Sequence, residues 1–274
     1  LISYTYYTQI YRKNQIIFKI KSNVLHFQMV VLMKYRTILI QGALDIEIQC
    51  LIDNLENKEN LIIFGYEFFI GYINNLKIII SKTLIGVVNS TISTTIGILK
   101  FNPDIVINQG IAGSHKSNIH IGDIVIGKKC CNINAYSMPS KGKNEGSNPF
   151  EWKPNKRAEE IQFGNIELVT AFKDLLSLNY KKQIFAGTLG SGDVFNREID
   201  RIDWLNDRFG NLCEDMESIG TYTVCNRFNI PCVGIRIISN NEITNEILDK
   251  EQAVILQNLL INFLNDKNNI SILL

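Results

Sequence analysis

The chain has 274 residues, 46% of them apolar, with 28 basic and 27 acidic side chains and a formal net charge of +1. That is core enough for one large α/β domain or two small ones, and the near-neutral balance gives no electrostatic reason to bind nucleic acid or an anionic membrane, so the expected partner is a small molecule. No apolar run is long enough for a membrane-crossing helix, and six cysteines without a CxxC pair or a nearby histidine at ligand spacing point to reduced thiols rather than structural zinc.

Residues 1–32 carry four tyrosines, one arginine (Arg12) and no acidic side chain. They lack the arginine content and the cleavage pattern of a targeting peptide. Because "KYRTILIQGA" behind Met29 or Met33 reads as a natural start, 1–32 are expected to be a vestigial or upstream-translated extension, and 33–274 the domain. From Tyr35 onward strands and helices alternate. "RTILIQGA" is a short apolar strand ending in glycine, and "LDIEIQCLIDNL" is a helix with Ile46, Cys50, Leu51 and Leu55 on one face. "LIIFGY", "EFFIGYI" and "LKIIISKTL" read as strands, the last two separated by the turn pair Asn74-Asn75. "NSTISTTIGILKF" reads as a helix whose apolar face is Ile92, Ile96 and Leu99.

"PDIVINQGIAG" is a buried strand entering a glycine-rich bend, and "IGDIVIGKKC" is a further strand. Residues 134–157 form the longest irregular stretch and hold three of the five prolines; a loop of that length inside a compact domain is usually functional or an interface. The remainder alternates helix ("IELVTAFKDLLS"), strand ("QIFAGTLGS"), helix ("REIDRIDWLNDRF"), strand ("LCEDM"), helix ("ESIGTYTVCNRF"), strand ("PCVGIRIIS") and helix ("KEQAVILQNLLINFL"). The expected fold is a single α/β domain with a central mixed, mostly parallel twisted sheet and helices on both faces. Binding residues should then cluster at the carboxyl ends of strands.

Several polar residues fall at such ends. Glu47 in "QGALDIE" lies in the first turn of a helix, where the helix dipole alone favours an acid. The bend "QGIAGS" lets the backbone of Ile111, Ala112 and Gly113 approach a ligand, without the spacing of a phosphate-binding loop. Phe195 beside Asn196 in "GTLGSGDVFNRE" is either a stacking platform or core. In "CEDMES", Glu214, Asp215 and Glu217 surround Met216, more carboxylates than helix capping requires. Arg236 interrupts an apolar strand and needs a buried acidic partner, for which "EDMES" is the candidate. His115 and His120 are expected at the surface.

Together "IQGALDIEI", "PDIVINQGIAG", "IGDIVI", "SGDVF", "EDMES" and "IRIISN" resemble, in the same order, the nucleoside phosphorylase and nucleosidase superfamily, and within it the methylthioadenosine/S-adenosylhomocysteine nucleosidases. The resemblance covers residues 33–274. It implies that Glu47 activates the attacking water and that Phe195 stacks on a purine with Asn196 near the base. It further implies that Met216 and Glu217 bind the ribose beside Arg236, and that Ser239 and Asn240 lie at the base, Asn240 in the place of the general acid. It implies a purine nucleoside as substrate, no metal or organic cofactor, a cytoplasmic setting and a homodimer whose 134–157 loop approaches the neighbouring site. "GALDIE" offers no arginine for phosphate, which argues for water as the nucleophile.

Asn240 departs from the family pattern, which has an aspartate there. An amide has no proton to give N7 of a leaving purine, but its two N–H groups can address N7 and an oxygen at C6 together. With Ile111 in "GIAG", this leaves open a 6-oxopurine nucleosidase of the futalosine hydrolase kind, a phosphorylase, or a non-catalytic nucleoside-binding or storage protein.

Overall fold

The structure, a computed structural model, describes residues 7–12, 15–21, 26–32, 37–155 and 161–266. Within the stretch set apart as an extension, β1 (Tyr7–Arg12), β2 (Gln15–Lys21) and β3 (His26–Leu32) form an antiparallel three-stranded sheet of their own. Its side chains, and residues 1–6, 13–14 and 22–25, lie outside the described residues.

The domain opens with β4 (Thr37–Gly42) and α1 (Asp45–Asp53), then the meander β5 (Glu56–Ile63), β6 (Tyr66–Ile73) and β7 (Leu76–Lys82). Next come α2 (Val87–Phe101), β8 (Ile105–Ser114), β9 (Ile124–Asn132), the short pair β10 (Tyr136–Ser137) and β11 (Lys153–Pro154), and β12 (Ile161–Phe163). The chain continues through α3 (Ile166–Asn179), β13 (Ile184–Ser191), α4 (Ile199–Phe209), β14 (Asn211–Asp215), α5 (Ser218–Phe228), β15 (Cys232–Asn241) and α6 (Gln252–Asn265). Ten strands make one mixed sheet in the order β12-β9-β13-β14-β8-β4-β7-β6-β5, with β15 paired to both β8 and β9. That double pairing closes β9, β13, β14, β8 and β15 into a ring, and a closed ring removes the open edge that a strand of unpaired N–H and C=O groups presents.

Parallel pairs run through the middle of the sheet (β4 with β7 and β8, β13 with β9 and β14, β15 with β8), and antiparallel pairs lie at the meander, at β12 and across β14–β8 and β15–β9. Two apolar clusters fill the faces. One joins α1, α3 and α6 to the sheet through Leu51, Phe172 and Leu256; the other sets Tyr222 and Cys225 of α5 against Leu39, Val106 and Leu189.

Three details differ from expectation. The β5–β6 turn sits at Phe64-Gly65, so the strand read as "LIIFGY" starts earlier, at Glu56, and stops before the turn. On α1 the buried residues are Glu47, Ile48, Leu51 and Ile52, while Ile46 and Cys50 are half-buried where Gln257 of α6 bonds their backbone. On α2 the inward face is Ser90, Ser93, Thr94, Gly97 and Ile98, and Ile92 and Leu99 point out at 41% and 69% exposure. The cause is close approach: Ser90 Oγ donates to Glu217 O at 2.7 Å and Thr94 Oγ1 lies 3.2 Å from Thr221 Oγ1, a separation that larger side chains on either helix would prevent.

Candidate active site

Glu47 enters from the first turn of α1. Its Oε2 accepts from Ala43 N (2.7 Å) and Leu44 N (3.1 Å), and its Oε1 from Ile111 N (3.0 Å). It therefore serves the helix N-terminus, as the dipole argument requires, and also faces a cavity. Gly110 makes the approach possible, since a Cβ there would collide with Glu47 Oε1. Burial raises the Glu47 pKa above the usual carboxylate range, opposed by the Ile111 N–H, the Arg236 charge and the Ala43 and Leu44 N–H groups.

β14 ends in the acidic cluster, and each of its carboxylates has a different task. Asp215 caps α5: its Oδ1 accepts from Glu217 N, Ser218 N and Ser191 Oγ, and its Oδ2 accepts from Ser218 Oγ (2.6 Å) and Arg236 Nε (2.9 Å). Arg236, 1% exposed, also donates to Asn108 O, Ile235 O, Asn108 Oδ1 and Ser218 Oγ, so every guanidinium N–H is spent inside the protein. Glu214 holds Asn196 through its backbone and side-chain N–H groups, both at 2.7 Å, and lies 3.0 Å from His115 Nε2. Glu217 Oε1 accepts from Gly86 N (3.1 Å). Burial and the adjacent Asp215 charge push the Glu217 pKa up to about 8, with Arg236 opposing and Glu47 adding to the rise.

The native state thus holds a Glu217 proton that the unfolded chain releases at lower pH, so this group disfavours the fold increasingly as pH climbs from the usual carboxylate range toward 8. Glu217→Gln, which has no charge to bury, is expected to raise Tm relative to the parent more at pH about 9 than at pH about 5.5. Thermal scans at the two pH values check this; an equal shift at both would remove the ionisation argument.

A bulge between Ile238 and Asn240 in the β15–β8 pairing sets Ser239 and Asn240 at the cavity. Ser239 Oγ lies 3.2 Å from Ala112 O and 3.1 Å from Asn240 Oδ1. Asn240 Nδ2 is 3.5 Å from Glu242 Oε1, the outer limit for a hydrogen bond, so one N–H makes a weak contact there and the other has no partner among the described residues.

The cavity measures about 270 Å³. Of the residues singled out in the sequence, Glu47, Ile111, Ala112, Gly113, Phe195, Glu214, Asp215, Met216, Glu217, Ser239 and Asn240 line it, with Phe195 on the rim at 50% exposure. Two do not. Asn196 is turned onto Glu214, and Arg236 stands behind Asp215, so neither reaches the ligand space as expected. His115, expected at the surface, is buried against Glu214, whereas His120 is exposed and paired with Glu246. Leu44, Ile85, Leu248 and Lys250 also line the cavity. Leu44 belongs to the motif "IQGALDIEI" without being marked as a site residue by it, whereas Ile85 and the pair Leu248 and Lys250 come from two loops outside any motif, so no sequence signal marks them. Among the described residues no group of His, Cys, Asp and Glu is placed to hold a metal, and no helix is long and apolar enough to cross a membrane.

The 134–157 loop is tied to α4 by an aromatic clamp. Arg201 lies 4.6 Å from the ring centres of Tyr136, Trp152 and Trp204, and Tyr136 stacks on Trp152 at 4.8 Å.

The partly closed mixed sheet thus carries a cavity lined by buried carboxylates, by the Asn240 amide and, at its rim, by the Phe195 ring. The model of the phosphorylase superfamily matches residues 37–261. The chain is 31% identical to the 5′-methylthioadenosine/S-adenosylhomocysteine nucleosidase of Geobacillus sp. strain WCH70 over 208 residues, covering 74% of this chain and 84% of that one. The fold is shared with the Neisseria meningitidis enzyme of the same name in complex with methylthio-immucillin-A (TM-score 0.71, 21% identity, 84% and 99% of the two chains). It is shared as well with a futalosine hydrolase mutant of Helicobacter pylori (TM-score 0.69, 24% identity, 82% and 96%). The chain belongs to the phosphorylase superfamily, on its nucleosidase branch.

Proposed function

We propose that the protein hydrolyses the N-ribosidic bond of a 5′-modified purine nucleoside, in the manner of the methylthioadenosine/S-adenosylhomocysteine nucleosidases. The observation that carries this is Glu47: a buried carboxylate on the cavity wall, held by three backbone N–H groups and paired with no cation among the described residues. Such a group accepts a proton from water as the water oxygen attacks C1′. The C1′–N9 bond breaks, and its electron pair leaves with the purine. Glu217 receives the ribose hydroxyls, and hydroxyls donating to it lower its pKa again, so binding releases a proton near neutral pH. Phe195 offers a face to the base. Arg236 acts from behind, by holding Asp215 and lowering the pKa of Glu47 and Glu217.

Asn240 supports a second reading, cleavage of a 6-oxopurine nucleoside as in futalosine hydrolases. Its two N–H donors, one of them held only by the long contact to Glu242, suit N7 and a C6 oxygen, while adenine needs a proton that the amide lacks. Release of purine from methylthioadenosine, S-adenosylhomocysteine, inosine and futalosine without phosphate, for the parent and Asn240→Asp, separates the readings. The expected result is a gain of roughly 10² or more on the adenine nucleosides in the variant. A parent and variant both silent on all four point to a binding protein, and strict dependence on phosphate to a phosphorylase.

The outward apolar side chains of α2, Val88, Ile92 and Leu99, support a homodimer in which the 134–157 loop reaches the neighbouring cavity. Six cysteines standing as free thiols fit a reducing, cytoplasmic setting.

A further inference from the structure

The cavity has a polar floor and an apolar rim, and the rim carries one charge. Glu47, Glu214, Ser239 and Asn240 are buried on the floor, whereas Ile85, Leu248 and Phe195 stand 48%, 43% and 50% exposed. Among the described lining residues, Lys250 is the cation. It is exposed, and its ammonium has no hydrogen-bond or ion-pair partner among the described residues. The neighbouring Asp249 is engaged elsewhere, accepting from Glu251 N (3.0 Å) and Gln252 Nε2 (2.8 Å).

The backbone that carries Lys250 is fixed to the site. Asp249 N donates to Ser239 O at 2.8 Å, one residue from Asn240, and Ala253 N donates to Lys250 O at the start of α6. α6 in turn is bonded to α1 through Gln257, whose Nε2 donates to Ile46 O and whose Oε1 accepts from Cys50 N. Lys250 therefore enters beside Leu44 and Leu248, at the mouth of a cavity whose depth is taken by the groups suited to base and ribose.

Charge decides what that mouth admits. Four carboxylates line the cavity, those of Glu47, Glu214, Asp215 and Glu217. All four accept donors within the protein, but only Asp215 has a cation beside it, Arg236, so an anion approaching the ionised carboxylates without a further counter-charge is repelled. Lys250 on the rim supplies that counter-charge, and Leu44, Ile85 and Leu248 beside it supply an apolar wall.

Accepting the nucleosidase reading, we propose that Lys250 is a specificity residue for the 5′ end of the substrate, selecting a substituent with an apolar stem that ends in a carboxylate. The nucleoside lies with base and ribose on the floor and sends its 5′ group to the rim, where the carboxylate meets the ammonium.

The test uses a C-nucleoside, a 9-deazapurine whose C–C glycosidic bond resists hydrolysis, carrying a 5′-carboxyalkylthio group, and its methyl ester. Binding is measured by calorimetry in phosphate-free buffer for the full-length protein and for Lys250→Met. The parent is expected to bind the acid about tenfold more tightly than the ester, and the variant to bind the two within about twofold. The preference should shrink between about 50 and about 500 mM salt, because the rim is open to screening. Equal binding of acid and ester by the parent, or a preference that survives Lys250→Met, overturns the proposal. So does tight binding of inorganic phosphate alone that Lys250→Met abolishes, which assigns the ammonium to phosphate. Hydrolysis of the matching N-nucleosides is scored separately. A preference without cleavage retires the nucleosidase reading and keeps Lys250 as a carboxylate selector; cleavage without a preference does the reverse.

Discussion

Arg236→Met is expected to lower the unfolding free energy by about 3–5 kcal/mol, because it leaves the buried Asp215 carboxylate without its counter-charge. The guanidinium also satisfies Asn108 and Ser218, so β8, β14, α5 and β15 lose a common tie. Urea titration reads the loss directly. The double variant Arg236→Met, Asp215→Asn removes the stranded charge and is expected to recover part of the stability. The same guanidinium lowers the pKa of Glu47 and Glu217, so in the single variant both carboxylates ionise at higher pH and the acid limb of the pH–rate profile moves up. A single variant within about 1 kcal/mol of the parent would show that the charge is not what Asp215 depends on.

Glu47→Gln is expected to reduce nucleoside hydrolysis by about 10²–10⁴, since an amide takes no proton from water. It carries a stability cost as well. Both carboxylate oxygens accept backbone N–H groups, and an amide turned either way sets an NH₂ against Ala43 and Leu44 or against Ile111. That mismatch costs on the order of 1–3 kcal/mol. Glu47→Asp separates the two effects: it keeps a base but shortens its reach, so it should lose less rate than Glu47→Gln. Hydrolysis at the parent rate by folded Glu47→Gln would remove the water-activating role.

Local pattern carried most of the fold. Alternating apolar runs with glycine, asparagine and proline at their ends place the long strands and helices of the domain, apart from β5, whose polar first half carries no apolar run, because strand period, helix period and turn chemistry are written in neighbouring residues. The direction a helix faces is set less by its own pattern than by the element it meets. On α2 the helical spacing of Ile92, Ile96 and Leu99 suggests the buried side, yet only Ile96 packs against the core, and Ser90, Ser93, Thr94, Gly97 and Ile98 are inside, because α5 lies too close for larger side chains along most of that face. β12, three residues long, offers too little pattern to be read.

The candidate site divides along the same line. Glu47, Phe195, Met216, Glu217, Ser239 and Asn240 were legible because each stands in a short motif where a strand gives way to a bend or a helix, and that position is local information. That Asp215 rather than Glu217 holds Arg236, that Asn196 turns away onto Glu214, and that His115 is buried are decided by strands distant in sequence meeting in the ring closed by β15. The sequence by itself determined the order of the elements and the chemistry available at their ends. The tertiary structure decided which of those groups face one cavity and which are spent holding one another, because hydrogen-bond partners and burial depend on the meeting of segments that no local pattern records, and Lys250 at the rim is such a residue.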